Sequence, residues 1–201
     1  HQIWYTPVTG IWQTVWIEPV NKTHIDRLKI IPDIDRNILT VNVDCANNNE
    51  SYIAEVVVKD NGHIVATGKA LTGEIITVDM PADVKLWSPE SPHLYDLEVG
   101  ISAEGKTLDK VQSYAAMRKI SSKADENGVV RLQLNNKDLF HYGTLDQGWW
   151  PDGLYTAPSY EAMVYDIDKT ADWGFNMIRK HVKVEPAIWY TYCDRKGILV
   201  W

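Results

Sequence analysis

Two short stretches of the 201-residue sequence gather side chains able to do chemistry: "LDQGWWPDGLY" at 145–155 and "RKHVKVE" at 179–185. The first holds Asp146, Gln147, Trp149, Trp150 and Tyr155; the second holds Arg179, His181, Lys183 and Glu185. Carboxylate, amide, guanidinium, imidazole and ammonium groups make directed or charged hydrogen bonds, while indole and phenol rings offer flat apolar faces. Such a set suits a surface that grips a polar ligand by hydrogen bonding and stacking. Each residue also has a plainer reading. Asp146 could cap a turn, Trp149 and Trp150 could pack one domain on another, and Arg179 could be a structural support. His181 could be a core histidine, and Lys183 with Glu185 could be a solvated pair. No Cys/His cluster has zinc-ligand spacing, and no glycine-rich loop follows a strand in a phosphate-binding pattern. Neither metal nor cofactor is therefore expected.

The elements around these stretches alternate. "HYGTLD" reads as a strand running into a loop, and Ser159 can cap a helix over 160–173 whose Met163, Ile167 and Ala171 recur every three to four residues. Gly174 ends that helix, "FNMIR" follows as a strand, Pro186 opens a second helix, and Gly197 closes it before "ILVW". Strand, helix, strand, helix, strand builds a parallel sheet through crossovers. The spacing is that of a (β/α)8 barrel, which needs about 250 residues in all. Active sites in such barrels lie at the C-terminal strand ends. Asp146 and Gln147 then follow the first strand, Arg179, His181 and Lys183 follow the second, and Trp201 ends the third.

Before this lies a different pattern. Between 21 and 121, seven short runs rich in Val, Ile, Leu, Thr and Tyr succeed one another, several alternating with period two. Asn61-Gly62 and Glu104-Gly105 mark hairpin turns, and the whole fits an antiparallel sandwich of immunoglobulin-like size. "SSKADENG" at 121–128 reads as a polar break, followed by a hairpin turning at Asn135-Asn136. Trp87, Pro89, Pro92 and Tyr95 are assigned to sandwich structure. Residues 1–20 alternate like a strand around Ile11, Thr14, Trp16 and Ile17, and read as the remnant of a preceding domain. The expected fold class is mainly β: an immunoglobulin-like β-sandwich over 21–121, then an incomplete (β/α)8 TIM barrel of about three strands over 122–201.

Composition narrows the partners. The chain is 45% hydrophobic with nine Trp and ten Tyr, enough for real cores. Its 20 basic and 27 acidic residues are mixed along the sequence, and no Lys/Arg cluster suits a phosphate backbone, so nucleic acid is not an expected partner. No apolar run approaches the roughly 20 residues of a membrane span, so no membrane partner is expected either. Cys45 and Cys193 fall in separate folding units and are expected as free thiols. No signal peptide precedes His1, so the compartment is not legible. "NKT" at 21–23 and "NES" at 49–51 match the glycosylation sequon, a pattern common by chance.

The ordered blocks resemble glycoside hydrolase family 2, which includes β-galactosidases, β-glucuronidases and β-mannosidases. "TGIWQTVWIEPV" is similar to the close of that family's jelly-roll sugar-binding-like first domain. "LWSPESPHLYDLEV" resembles its W-x-P-x-x-P-x-L-Y stretch late in the sandwich, and "AAMRKI" stands where Phe-Gly-x-Arg is frequent. "LNNKDLFHYGTLDQ" resembles the barrel opening LNGKPxFLRGVN, "GFNMIRKH" resembles GFNxxRxSH, and "YCDRKGILVW" resembles CDxxGLxV. The departures are "TLDQGWWPDG" in place of an NRHEHHP-like loop and "RKHVKVEP" in place of RxSHYP. Both loops contribute sugar contacts in the family, so the departures bear on which sugar is bound.

The resemblance implies part of a retaining glycosidase acting on β-linked sugars. Its nucleophile and acid/base glutamates sit at the fourth and seventh barrel strands, beyond Trp201, so the fragment alone should be inactive. It implies Asp146, Gln147, Trp149, Trp150, Arg179, His181 and Lys183 as substrate-binding, and a periplasmic or secreted setting by family habit. A rival reading makes the chain a non-catalytic carbohydrate-contact or spacer module. An Asn-Glu pair at a fourth strand would separate the two. Three barrel strands alone leave open edges, so self-association of the fragment is also expected.

Overall fold

The computed structural model describes residues 6–46 and 50–201. Two compact units emerge: Glu18–Leu139, and residues up to Ile17 together with Phe140–Trp201.

The larger unit is a sandwich. Its strands are β1 (Ile25–Asp33), β2 (Ile38–Cys45), β3 (Ile53–Asp60), β4 (His63–Leu71), β5 (Ile75–Asp79), β6 (Tyr95–Ala103) and β7 (Lys106–Ala115). One antiparallel sheet has the order β1-β2-β5, and the other β4-β3-β6-β7. Period-two alternation sends Leu39, Val41 and Val43 of β2 inward against Val56 and Val58 of β3 and Leu97, Val99 and Ile101 of β6. Strand β4 passes close to β5, and Gly68 permits it. A Cβ there would stand 2.8 Å from both Thr77 O and Val78 Cγ2. The hairpin turns are where the sequence puts them, with φ of 49° and 81° at Asn61 and Gly62 and of 50° and 76° at Glu104 and Gly105. Trp87 is fully buried, with the Arg118 guanidinium 4.6 Å from its ring centroid, and Tyr95 OH accepts the Lys85 N–H at 2.7 Å.

Two expectations need correction. The polar stretch after residue 120 is a strand, β8 (Ile120–Ala124), which pairs with β9 (Val130–Leu134); β9 in turn pairs with β10 (Lys137–Asp138). Its side chains are mostly exposed, so backbone pairing and not an apolar face defines it. The hairpin is tied to the sandwich unit by Asn135, whose side chain accepts the Lys119 N–H at 3.0 Å and donates to Trp87 O at 2.9 Å. Residues 122–139, placed in the barrel by sequence, thus lie within the sandwich unit's contacts. Second, no strand occurs among the described residues before Ile25. Ile11, Val15, Trp16 and Ile17 are all exposed, because no sheet edge receives them.

In the smaller unit, β11 (Gly143–Asp146), α1 (Tyr160–Asp172), β12 (Met177–Lys180), α2 (Ala187–Lys196) and β13 (Leu199–Val200) follow in order. The three strands form one parallel sheet, β11-β12-β13. Ser159 caps α1 by accepting the Ala162 N–H at 3.1 Å, and Gly197 ends α2 at φ 83°. Met163 and Ile167 of α1, Trp189 and Cys193 of α2, Ile178 and Ile198 make the core on one face of the sheet. Burial pushes the Cys193 thiol up to about 12, so it is an inert core group. Tyr192 OH donates to Asp168 at 2.8 Å, and Lys196 pairs with the same carboxylate at 2.8 Å, fastening α2 to α1.

Candidate functional site

Parallel register sets which side chains share a face. Gly143 stands beside Met177, Leu145 beside Arg179, and Asp146 beside Lys180. Period two from the buried Ile178 turns Lys180 toward the helices, and Arg179 toward the other side. That other side is uncovered: Leu145, Arg179 and Trp201 are exposed. Arg179 has no ion-pair partner among the described residues. Trp201 donates from Nε1 to His141 Nδ1 at 2.8 Å, which leaves the His141 proton on Nε2, and burial lowers that imidazole's pKa.

The helix side of the strand ends holds a buried cluster of four charges. Lys180 Nζ lies 2.8 Å from Asp146 Oδ2 and 2.6 Å from Glu185 Oε1, and Lys183 Nζ lies 3.1 Å from the same Glu185 oxygen. Lys183 also donates to Gly148 O at 2.7 Å, and the Gly148 N–H donates to Asp146 Oδ1 at 2.7 Å. The Lys180, Lys183 and Glu185 side chains are 3%, 1% and 5% exposed. Two cations facing two carboxylates neutralise the cluster, which is the condition for burying charge. Only glycine fits at 148: its φ is 65°, and a Cβ would stand 2.6 Å from Glu185 Oε1 and 2.9 Å from both Lys180 Nζ and Lys183 Cδ. Desolvation lowers the Lys183 pKa, against the opposing pull of Glu185.

The loop after β11 folds over this cluster. Trp150 and Leu154 exchange backbone hydrogen bonds at 2.8 and 3.0 Å, closing a tight turn with Leu154 at φ 52°. Gly153 is required there, since a Cβ would fall 1.9 Å from Thr156 O. The turn brings the Tyr155 ring to 5.5 Å from Trp149 and to 4.5 Å from Trp12, both edge-on. After β12, the His181 N–H donates to Asp146 O at 2.8 Å, and His181 Nδ1 is buried without a hydrogen-bond partner among the described residues. Val182 sits at φ 55°, a conformation that a β-branched side chain rarely adopts.

The structure therefore sorts the residues singled out from the sequence. Asp146 and Lys183 are engaged in the internal cluster, Trp149 and Tyr155 form an aromatic corner beside it, and Gln147, Trp150 and His181 are part-buried around the strand ends. Arg179 faces the opposite side of the sheet. Lys180 was missed, although period two from Ile178 points it inward. Glu185, read as half of a solvated pair, is buried. The reason is that Lys180, five residues before it, reaches the same carboxylate. Among the described residues no group of three or more His, Cys, Asp or Glu could hold a metal ion, and no helix is long and apolar enough to cross a membrane.

Comparison with known proteins points to one family. The sequence pattern of glycosyl hydrolases family 2 matches residues 23–118. A putative β-glucuronidase of Formosa agariphila is 29% identical over 202 residues, covering 96% of this chain. The β-galactosidase of Lactococcus lactis is 27% identical over 197 residues, again covering 96% of this chain.

The chain is similar to glycosyl hydrolases family 2, whose pattern spans residues 23–118.

It spans 24% of the length of the Formosa relative and 19% of the Lactococcus relative. A β-glucuronidase from Ruminococcus gnavus, solved in complex with D-glucuronic acid, superposes with a TM-score of 0.75 at 16% identity, covering 90% of this chain and 30% of that one. A β-glycosidase from Bacteroides vulgatus superposes with a TM-score of 0.74 at 22% identity, covering 90% of this chain and 24% of that one. At such identities the likeness speaks for the fold. The chain is mainly β, with the sandwich followed by parallel β/α units.

Proposed function

We propose that the chain is part of a retaining glycoside hydrolase acting on β-linked glycosides, and supplies its sandwich and the first strands of its barrel, with no catalytic carboxylate of its own. The observation that carries this reading is the three-stranded parallel β/α sheet, with aromatic and charged side chains collected at its C-terminal strand ends, in a chain similar to this family. Retention needs two carboxyl groups about 5–5.5 Å apart, one free to attack and one to give and take a proton. Asp146 and Glu185 do not meet that need, because one oxygen of each is tied up by Lys180 Nζ, at 2.8 and 2.6 Å. The family resemblance implies a nucleophile and acid/base on the fourth and seventh barrel strands.

Within this reading a sugar meets Gln147, Trp149, Trp150, Arg179 and His181, with Asp146 and Lys183 holding the loop that carries the rings. The relatives are named for glucuronides and galactosides, and β-glycosides of those two classes are the first substrates to try. The test is hydrolysis of an aryl β-glycoside panel by the protein continued past Trp201, beside the 201-residue chain. Turnover by the longer protein alone supports the proposal, and turnover by the shorter chain contradicts it. The uncovered sheet face of Leu145, Arg179 and Trp201 supports self-association of the isolated chain, which sedimentation velocity measures directly.

A further inference from the structure

The ammonium of Lys183 is a meeting point of three segments: the 11–14 strap, the loop that carries Gly148 and Tyr155, and its own stretch after β12. It pairs with Glu185, donates to Gly148 O at 2.7 Å, and stands 5.1 Å from the Trp12 ring centroid and 4.8 Å from that of Tyr155. Around it the same segments are stitched by other contacts: Thr156 Oγ1 donates to Trp12 O at 3.0 Å, Gln13 Nε2 to Val184 O at 3.4 Å, and Tyr155 OH to Val182 O at 3.3 Å. The geometry points to Lys183 as a positioning residue that sets the aromatic loop 149–155 over the strand ends through its contacts with Gly148, Tyr155 and Trp12, without touching a ligand itself.

Three physical arguments support this. First, the side chain is 1% exposed and its ammonium is already engaged by an anion, a carbonyl and two rings, so no donor is turned outward. Second, a cation over aromatic faces is worth most where water is excluded, and here the rings are those of the loop itself and of the strap before it. Third, the backbone is bent to bring Lys183 into place. Val182 adopts φ 55° between His181 and Lys183, and a strained residue persists only when its neighbours over-determine it. The Lys183–Glu185 pair, the Gly148 contact and the Tyr155–Val182 hydrogen bond are those constraints. Trp12 is the one side chain of the 11–14 strap that is not exposed, although no strand or helix holds the strap. Lys183 and Tyr155 hold the Trp12 ring, beside the hydrogen bond from Thr156 Oγ1 to the Trp12 carbonyl.

This inference deepens the carbohydrate-surface reading and rests on it for its purpose, but its test needs no sugar. Amide exchange is measured on the 201-residue chain and on Lys183→Met, which keeps the apolar stem and removes the charge. Exchange over 147–156 is expected to rise about tenfold or more, the scale of one desolvated cation–aromatic contact, while β2, β3 and β6 stay protected. Indole N–H resonances supply the signature that a merely structural loss would not give: Trp12 and Trp149 shift, and Trp87 does not. Lys183→Arg, which keeps a cation over the rings, is expected to restore most of the protection. An Arg variant that behaves like Met would overturn the role of the charge. Should Lys183→Met fail to fold, Trp12→Ala leaves the ion cluster intact and still removes one ring; exchange over 147–156 within twofold of the parent chain in that variant would overturn the proposal. Activity measurements on the longer protein bear on the glycosidase reading alone, so the two can fail separately.

Discussion

The sandwich keeps its ion triad on an outer face, whereas the parallel sheet draws its charges inside. In the sandwich, the core of β2, β3 and β6 is aliphatic, and the ion triad of Glu98 with Lys59 and Lys110 lies on the outer face of a sheet. In the smaller unit, Lys180, Lys183, Asp146 and Glu185 are drawn inside, against Trp189, Tyr155 and Trp12. An aliphatic core tolerates small errors of placement, whereas a buried charge cluster demands matched partners and fixed distances. The contrast separates a region built to be stable from one built to hold a few groups in place.

The sharpest way to break this contrast is at the partners of the buried cluster. Lys180→Met would leave Asp146 and Glu185 facing each other with one cation fewer, and should cost about 3–5 kcal/mol in denaturant unfolding of the smaller unit. Lys110→Met, at a side chain 56% exposed, should cost no more than about 1 kcal/mol. Equal costs would erase the distinction. Gly148→Ala comes next, since the added methyl meets three cluster atoms at a backbone angle hostile to alanine. A loss of about 2–4 kcal/mol is expected, confined to the smaller unit by amide exchange.

The two regions should also answer pH with the same sign but in separate windows. Two lysines hold the Glu98 carboxyl at about 2, below its ordinary 4.5. The unfolded chain therefore takes up this proton first as pH falls. The triad's contribution to the sandwich is full above 4.5 and disappears toward about 2. Burial lowers Lys183 instead, so near its ordinary 10.5 the unfolded chain holds more protons than the folded one, and the smaller unit gains stability as pH rises through that window. Unfolding curves followed by region-specific exchange at acid and alkaline pH check both windows. The smallest effect is expected at Val182→Gly, which relieves the left-handed strain at an exposed position and should stabilise by about 1 kcal/mol.

Much of the sandwich was legible because period-two alternation and Asn-Gly turns are local signals. The β/α order after residue 139 was legible for the same reason, from Ser159, Gly174 and Gly197 at helix boundaries. What escaped were features fixed at a distance. Strand β8 is exposed along most of its length and exists through its hydrogen bonds to β9. The stretch around Ile11 alternates like a strand yet has no sheet edge to join. At the site, the residue types were found, but burial of Lys183 and Glu185 depends on Gly148, 35 residues earlier, and on Trp12, which precedes Lys183 by far more. No local pattern distinguishes that pair from a solvated one, whereas the inward turn of Lys180 could have been read by counting two from Ile178.

The central claim is that these strand ends belong to a retaining β-glycosidase whose catalytic carboxylates come from later strands. Proton NMR of the first-formed sugar anomer tests it most directly, using an aryl β-glycoside and the protein extended past Trp201. The account predicts that the β anomer appears first and mutarotates afterwards, and that the 201-residue chain releases none. An α anomer appearing first, or no cleavage of any β-glycoside by the folded longer protein, would contradict it.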